Sequence, residues 1–168
     1  MGSVNIEIKA RAENPARIRA ILQGLHADYK GLDHQVDTYF NVPTGRLKLR
    51  EGNIENSLIR YHRDDQPGPK RSDFLLLQTE PGSLLKTILT DALGIMKVVD
   101  KRREIYYIGN VKFHIDQVQG LGGFVEIEAT DLAGTADAEK LQEQCRYYLA
   151  LFAINDRDLV PGSYSEMS

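Results

Sequence analysis

Lysine and arginine recur at every second position in two segments of the chain. Arg46, Lys48 and Arg50 alternate with leucines. Lys101 and Arg103 lie two residues apart further along. Like charges repeated on one face of a strand repel one another, so the pattern brings no benefit to a sheet that simply faces water. Lysine and arginine side chains that converge on one point can neutralise phosphate oxygens, which makes these residues candidates for binding a polyanion.

Carboxylates follow the same alternation in other segments. Glu126 and Glu128 flank an isoleucine, Asp116 follows another, and Glu7 lies between two more. Carboxylate oxygens can hold the divalent cation that a triphosphate carries. An antiparallel sheet with one face in water would show the same alternation without any site. The clustering of like charges favours a site that binds an anion together with a cation.

The apolar periodicity predicts eight strands and three helices, since a period of two marks a strand and one of 3.6 a helix. The strands are predicted at residues 4–11, 27–40, 46–51, 56–63, 74–80, 95–108, 111–118 and 123–130. The first helix follows the capping residue Asn14 and opens on Pro15. The second carries Leu84 to Ala92 and stops at Gly94, and Thr135 is predicted to cap the third.

The order of these elements is β-α-βββ, the same again, and a closing helix. Eight strands are enough to close a barrel that holds side chains or one ligand. An open sheet with helices on one face has the same periodicity, which therefore leaves the two architectures open. The segment at residues 67–73 is predicted to be a loop, and its resemblance to a stretch in a known protein family implies a loop over the mouth of a cavity as an option.

Length and composition exclude several classes of protein. The chain of 168 residues, 42% hydrophobic and 27% charged, is predicted to form one domain over residues 1–168 with a tail at 155–168. No apolar run approaches the ~20 residues that span a bilayer, and the first residues do not resemble a signal peptide. The net charge of −3 argues against an extended nucleic-acid surface. Cys145, the single cysteine, excludes an internal disulfide and suits the cytoplasm.

Several of these segments, in this order, resemble the CYTH superfamily of triphosphate tunnel enzymes. Asn5 to Lys9 is similar to its E-x-E-x-K signature. The segments at 35–40, 45–50 and 101–103 resemble its second, third and K-x-R strands. Those at 114–122 and 124–128 resemble its closing strands, and 162–164 the tail of its cyclase-like branch. The resemblance implies an α+β fold, a closed eight-stranded antiparallel β-barrel built from two βαβββ halves with helices outside.

The resemblance also implies roles for individual residues. Glu7, Glu126 and Glu128 would bind Mg²⁺ or Mn²⁺, with Asp116 near the metal or its water. Lys9 and Asp116 would be the catalytic residues. The phosphate-binding residues would be Lys9, Lys48, Arg50, Lys101, Arg103 and one of Arg60 and Arg63, of which Arg60 is favoured. His114 shares a strand face with Asp116, and a structural and a catalytic role are equally open for it.

The implied function is a metal-dependent enzyme on a small-molecule triphosphate, either an adenylate cyclase of class IV type or a triphosphatase. One departure from the signature matters, because Asn5 stands where its first glutamate is expected. Asparagine keeps a carbonyl oxygen but loses a charge and cannot act as a base. A non-catalytic polyphosphate- or nucleotide-binding module is therefore the alternative. No nucleic-acid or membrane partner is expected, and a homodimer would be ordinary.

Overall fold

Eight strands close into one barrel in which every neighbouring pair runs antiparallel, in the order β1-β5-β4-β3-β2-β6-β7-β8. The computed structural model describes residues 3–63, 67–131 and 137–167. The strands are β1 (Ser3–Arg11), β2 (Asp28–Phe40), β3 (Arg46–Glu51), β4 (Asn56–Arg63), β5 (Lys70–Gln78), β6 (Ile95–Ile108), β7 (Val111–Val118) and β8 (Gly122–Thr130). The predicted fold class is confirmed. Of the two architectures that the periodicity left open, the structure has the closed barrel and not the open sheet.

Among the described residues, three α-helices lie outside the barrel: α1 (Pro15–Gly24), α2 (Leu85–Leu93) and α3 (Ala138–Leu151). The Asn14 side chain accepts a hydrogen bond from the Arg17 amide and caps α1 as predicted. Gly94 ends α2 with a φ of 78°, a conformation that favours glycine. Asp137 caps α3, and Thr135, the predicted cap, lies outside the described residues. None of the described helices is long and apolar enough to cross a membrane.

The main hydrophobic core lies between the barrel wall and the helices. Ile6 and Ile8 of β1 and Ile127 of β8 point outward and pack in one cluster with Leu22 of α1 and Cys145 of α3. Because side chains alternate across a strand, the residues between them point into the barrel. The main apolar core therefore lies outside the barrel, and most of the side chains that line the lumen are polar.

β5 begins at Lys70, four residues earlier than predicted, and includes most of the segment expected to be a loop. Lys70 and Ser72 pair with Glu7 and Asn5 of β1. Lys70 is almost fully buried, whereas Arg71 outside is exposed. Both faces of this stretch are polar because its inner face borders a charged lumen, so the apolar alternation that identifies a strand is missing.

Candidate functional site

The lumen forms a cavity of about 120 Å³ whose lining is divided by chemical type. Most basic side chains come from β3 and β6, with Lys9 of β1 and Lys112 of β7 as the others, and the carboxylates come from β1 and β8, with Asp37 of β2 among the basic residues. Apolar and aromatic side chains come from β4 and β5. The predicted residues that line the cavity are Glu7, Lys9, Lys48, Arg50, Lys101, Arg103, Glu126 and Glu128.

Asp37 is the centre of the basic group. Nε and Nη2 of Arg50 each donate to its carboxylate at 2.9 Å, and Nζ of Lys101 donates at 2.6 Å. Nζ of Lys48 lies 3.8 Å away. Burial alone would raise the pKa of Asp37, but these three cations hold it well below its usual range. One buried carboxylate therefore gathers three of the predicted phosphate-binding side chains.

Arg103 is held by a second carboxylate. Its Nε and Nη2 each donate to Asp116 at 2.8 Å, and the Tyr164 hydroxyl donates to the same carboxylate at 2.7 Å. Asp116 is fully buried behind Arg103 and does not line the cavity. This carboxylate is taken up in positioning Arg103, and the expectation that Asp116 lies near the metal or its water stays a prediction.

The positive charge of the basic group exceeds the negative charge of its carboxylates. Its cationic side chains are Lys48, Arg50, Lys101 and Arg103, and its carboxylates are Asp37 and Asp116. Burial and the neighbouring charges of Arg50 and Arg103 lower the pKa of Lys101 to about 7, against the opposing effect of Asp37. Burial and the same arginines, with Lys101, also lower the pKa of Lys48. Buried cations whose charged forms are disfavoured gain most from an anion placed among them. This wall is suited to bind phosphate oxygens.

The carboxylates face one another in an acidic group of Glu7, Glu126 and Glu128. Glu7 and Glu128 are directly paired across β1 and β8. Burial and the charges of Glu126 and Glu7 raise the pKa of Glu128 to about 7. One donor atom each from His114, Glu126 and Glu128 lies within 4.8 Å of the others. Oxygen and nitrogen donors this close, with mutually repelling carboxylates, fit a divalent cation.

Asn5 lies on β1, and its side chain points into the lumen and contacts this acidic group. Its Nδ2 donates to Oε1 of Glu128 at 2.6 Å, and the side chain lines the cavity. Its Oδ1 is buried without a hydrogen-bond partner among the residues that the structure describes. The residue that departs from the signature therefore orients Glu128 and keeps one oxygen for a ligand.

Arg60, the favoured basic residue of β4, points away from the lumen. Its guanidinium donates to the backbone oxygen and hydroxyl of Thr44, while the adjacent Ile59 and Tyr61 line the cavity. The prediction that Arg60 binds phosphate is wrong, because the strand register turns the odd-numbered residues of β4 inward. The side chain of Arg63 lies outside the described ones.

The C-terminal tail enters one end of the barrel. Tyr164 lies in the lumen, with Nζ of Lys9 3.7 Å from the centroid of its ring. Lys70 donates to the backbone oxygens of Val160 and Pro161 at 3.1 and 2.8 Å. The tail thus fixes basic residues of the lumen from one end.

At the other end of the barrel, Glu55 in the β3–β4 turn accepts a hydrogen bond from Lys112 at 2.6 Å. Asp33 fixes this turn, since its carboxylate accepts from the backbone amides of Asn53, Ile54 and Glu55. Asp33, Asp37 and Glu55 were not among the predicted site residues. Asp37 lies in the expected second strand, two residues before Tyr39, so both side chains lie on the same face of the strand. This period of two is the signal that could have found Asp37.

Tyr164→Phe is expected to weaken triphosphate binding several-fold and to lower the free energy of unfolding by about 1 kcal/mol. The substitution removes the hydrogen bond to Asp116 but keeps the ring that contacts Lys9. Urea denaturation and calorimetric titration measure the two effects. Tyr147→Phe, at an exposed tyrosine of α3, is the matched control. Equal behaviour of the two variants would contradict a role of Tyr164 in positioning Arg103.

The fold and the site together are a closed antiparallel barrel whose lumen has a basic wall facing an acidic group. The CYTH domain family model matches residues 3–153, and the chain belongs to this family. The predicted resemblance is thereby confirmed. The search of curated proteins found no match.

Solved structures show the same architecture. A protein from Pyrococcus horikoshii is 25% identical, with a TM-score of 0.78 over 96% of this chain and 98% of its own. A putative adenylate cyclase from Vibrio parahaemolyticus is 19% identical, with a TM-score of 0.77 over 99% and 98%. A putative adenylyl cyclase from Hippeastrum, described as having a dominant triphosphatase activity, is 15% identical, with a TM-score of 0.62 over 97% and 93%.

Proposed function

We propose that this protein is a metal-dependent enzyme that acts on a small-molecule triphosphate held along the tunnel. The observation that carries the proposal is the division of the lumen into a basic wall around Asp37 and an acidic group around Glu128. A triphosphate with its cation has the complementary distribution, because the phosphate oxygens need cations and the metal needs carboxylates. The family relationship is consistent with such a substrate.

The basic residues of the lumen have different roles in binding the phosphates. Arg50 and Arg103 are fork-shaped donors fixed by carboxylates, so they are pre-organised to contact phosphate oxygens. The pKa values of Lys48 and Lys101 are lowered, and an anion bound beside them would favour the charged form of both side chains. Lys9 stands between the two walls, with Nζ 3.8 Å from Oε2 of Glu126, and remains our candidate for the catalytic lysine.

Glu126 and Glu128 would hold Mg²⁺ or Mn²⁺, with Glu7 beside them. Such an ion, when bound, polarises phosphoryl oxygens and neutralises charge that develops on them. In hydrolysis, a water oxygen forms a bond to the terminal phosphorus and the bond to the bridging oxygen breaks. In cyclisation, the ribose 3′ oxygen bonds to the α-phosphorus and pyrophosphate leaves.

An apolar stretch beside the opening favours an organic triphosphate, such as a nucleotide, over inorganic triphosphate. Ile59, Phe74 and Leu76 line the cavity, and Leu76 is 52% exposed, so the cavity opens next to it. Apolar and aromatic surface at the end of a phosphate site is suited to contact a base or another ring. Both the cyclase and the triphosphatase reactions remain compatible with this wall.

A non-catalytic binding module is the second candidate, favoured by Asn5 in place of a carboxylate. Incubation with ATP, thiamine triphosphate and inorganic triphosphate under Mg²⁺ and under Mn²⁺, with every product resolved, distinguishes the two. An enzyme should release pyrophosphate or phosphate only with metal, and faster from an organic triphosphate. A binding module should retain the ligand and release nothing under either metal, which would contradict the proposed enzyme.

The assembly and location of the protein are further proposals. We infer a homodimer from exposed apolar side chains on β5, on α2 and at the residue before α2, which are Leu75, Leu77, Ile88 and Leu84. Analytical ultracentrifugation at micromolar concentration tests it, and a monomer would contradict it. A single domain, a cytoplasmic location and the absence of nucleic-acid partners stay predictions.

A further inference from the structure

The β3–β4 turn places a carboxylate between two basic residues of the lumen. Oε2 of Glu55 accepts a hydrogen bond from Nζ of Lys112 at 2.6 Å, and Oε1 lies 3.7 Å from Nη1 of Arg50. Nε2 of Gln35 also donates to Oε1, at 3.0 Å. Lys112 and Arg50 line the lumen, whereas Glu55 does not. The carboxylate therefore joins basic residues of β7 and β3, which are not neighbours in the barrel.

The charges at this contact are those of a site for a phosphate group. Burial alone would raise the pKa of Glu55, but the charges of Lys112 and Arg50 hold it well below its usual range, so the carboxylate is ionised. Carboxylate and phosphate oxygens accept hydrogen bonds from the same lysine and arginine donors. The Glu55 carboxylate therefore lies where an anionic ligand of the lumen would find two cations.

The backbone of the turn is fixed, but the side chain of Glu55 has space to leave. The carboxylate of Asp33 accepts from the backbone amides of Asn53, Ile54 and Glu55. Glu55 also lines a second cavity of about 500 Å³, together with Ile54 and Tyr107. A change of side-chain rotamer could carry the carboxylate into this cavity while the turn stays in place.

We propose that Lys112 and Arg50 form a further phosphate subsite, and that Glu55 occupies it in the free protein as an internal competitor that a bound polyphosphate displaces. This inference rests on the proposed function, because the subsite belongs to the same tunnel. Lys112 is paired across the strands with Glu128, so a phosphate at the subsite would also lie beside the acidic group. A ligand must carry enough negative charge to replace a paired carboxylate, which favours a polyphosphate over a monophosphate.

Calorimetric titration with tripolyphosphate in EDTA tests the competition without a metal. Glu55→Gln keeps an oxygen that accepts from Gln35 but loses the competing charge, and we expect it to bind about fivefold more tightly than the parent, or better. Lys112→Gln should bind about tenfold more weakly or worse, because it removes a charge-assisted contact. Asp28→Asn removes an exposed carboxylate of the second cavity, paired with Lys30, and should stay within about twofold of the parent.

A crystal structure of the parent protein with tripolyphosphate shows the displacement directly. We expect a phosphate oxygen within hydrogen-bond distance of Nζ of Lys112, and the Glu55 carboxylate turned into the second cavity. This experiment uses the parent protein and therefore does not depend on the folding of any variant.

Three results would overturn the inference and leave the proposed function intact, provided that the parent binds tripolyphosphate. Weaker binding by Glu55→Gln would show that Glu55 positions Lys112 and does not compete with the ligand. Parent-like binding by either variant would show that the subsite is not used. A contact between Glu55 and Lys112 that persists in the complex would exclude displacement. If the parent binds no tripolyphosphate at all, the proposed function fails together with the inference.

Discussion

Asp37→Asn is expected to lower the free energy of unfolding by about 3–5 kcal/mol in EDTA, the range for removing one partner of a buried ion pair. Asp37 accepts hydrogen bonds from Arg50 and Lys101, and the amide would leave these buried cations without a counter-ion. Tripolyphosphate should restore more stability to the variant than to the parent, because an anion replaces the lost charge. Urea denaturation with and without tripolyphosphate measures both effects.

The loss of unfolding free energy in Asp37→Asn should also depend on pH. Because the cations hold the folded-state pKa of Asp37 well below its usual range, the carboxylate stabilises the fold above its ordinary pKa and loses this effect as the pH falls through the folded-state pKa. The difference between parent and variant should shrink in acid. Asp73→Asn, in an exposed pair with Arg71, is the control and should change stability little. Equal losses in the two variants would show that Asp37 does not organise the basic wall.

Glu126→Gln is expected to reduce metal-dependent turnover by about 100-fold or more, the loss of a metal ligand being at least as large as the 10–100-fold effect of an outer-shell partner. The amide keeps an oxygen that can accept from Nδ1 of His114 but loses the charge that holds the cation. Steady-state rates over a range of Mn²⁺ concentrations separate lost metal affinity from lost turnover.

Glu104→Gln is the matched control for this variant. Glu104 lies on β6 but outside the cavity lining, and it pairs with Arg19 of α1. Its substitution should leave turnover unchanged. If Glu126→Gln retains the activity of the parent at every Mn²⁺ concentration, the acidic group is not the metal site.

The apolar alternation predicts the strands well because the barrel is amphipathic across its wall, but it leaves a barrel and an open sheet equally open, and only the family resemblance implied closure. Outward residues such as Ile6 and Ile127 pack against helices, while inward charges alternate with them. Where both faces are polar, as in the first residues of β5, the period of two disappears from the hydrophobic pattern. The start of β5 at Lys70 depends on pairing with β1 and is not encoded locally.

Residue roles could be predicted only as far as strand faces. The strand faces predict that Lys48, Arg50, Lys101 and Arg103 converge. They do not show which carboxylates bind these side chains. Asp37 and Asp116 differ little in the sequence pattern from metal-binding carboxylates, and only the three-dimensional contacts show that each neutralises arginine. Arg60 was predicted to point into the lumen and does not. Because β4 has no clear apolar alternation, its sequence does not show which of its residues face inward.

Calorimetric titration with tripolyphosphate in EDTA tests the division of the tunnel most directly. Lys48→Gln should weaken binding at least tenfold, about 1.4 kcal/mol. Lys48 is preferable to Arg50 or Arg103 for this test because each arginine neutralises a buried carboxylate. Glu128→Gln should bind as tightly as the parent or more tightly, since it removes a charge that repels the anion. Lys86→Gln, outside the lumen on α2, should bind like the parent. Parent-like binding by Lys48→Gln, or lost binding by Glu128→Gln, would contradict a basic wall that binds phosphate and an acidic wall that binds metal.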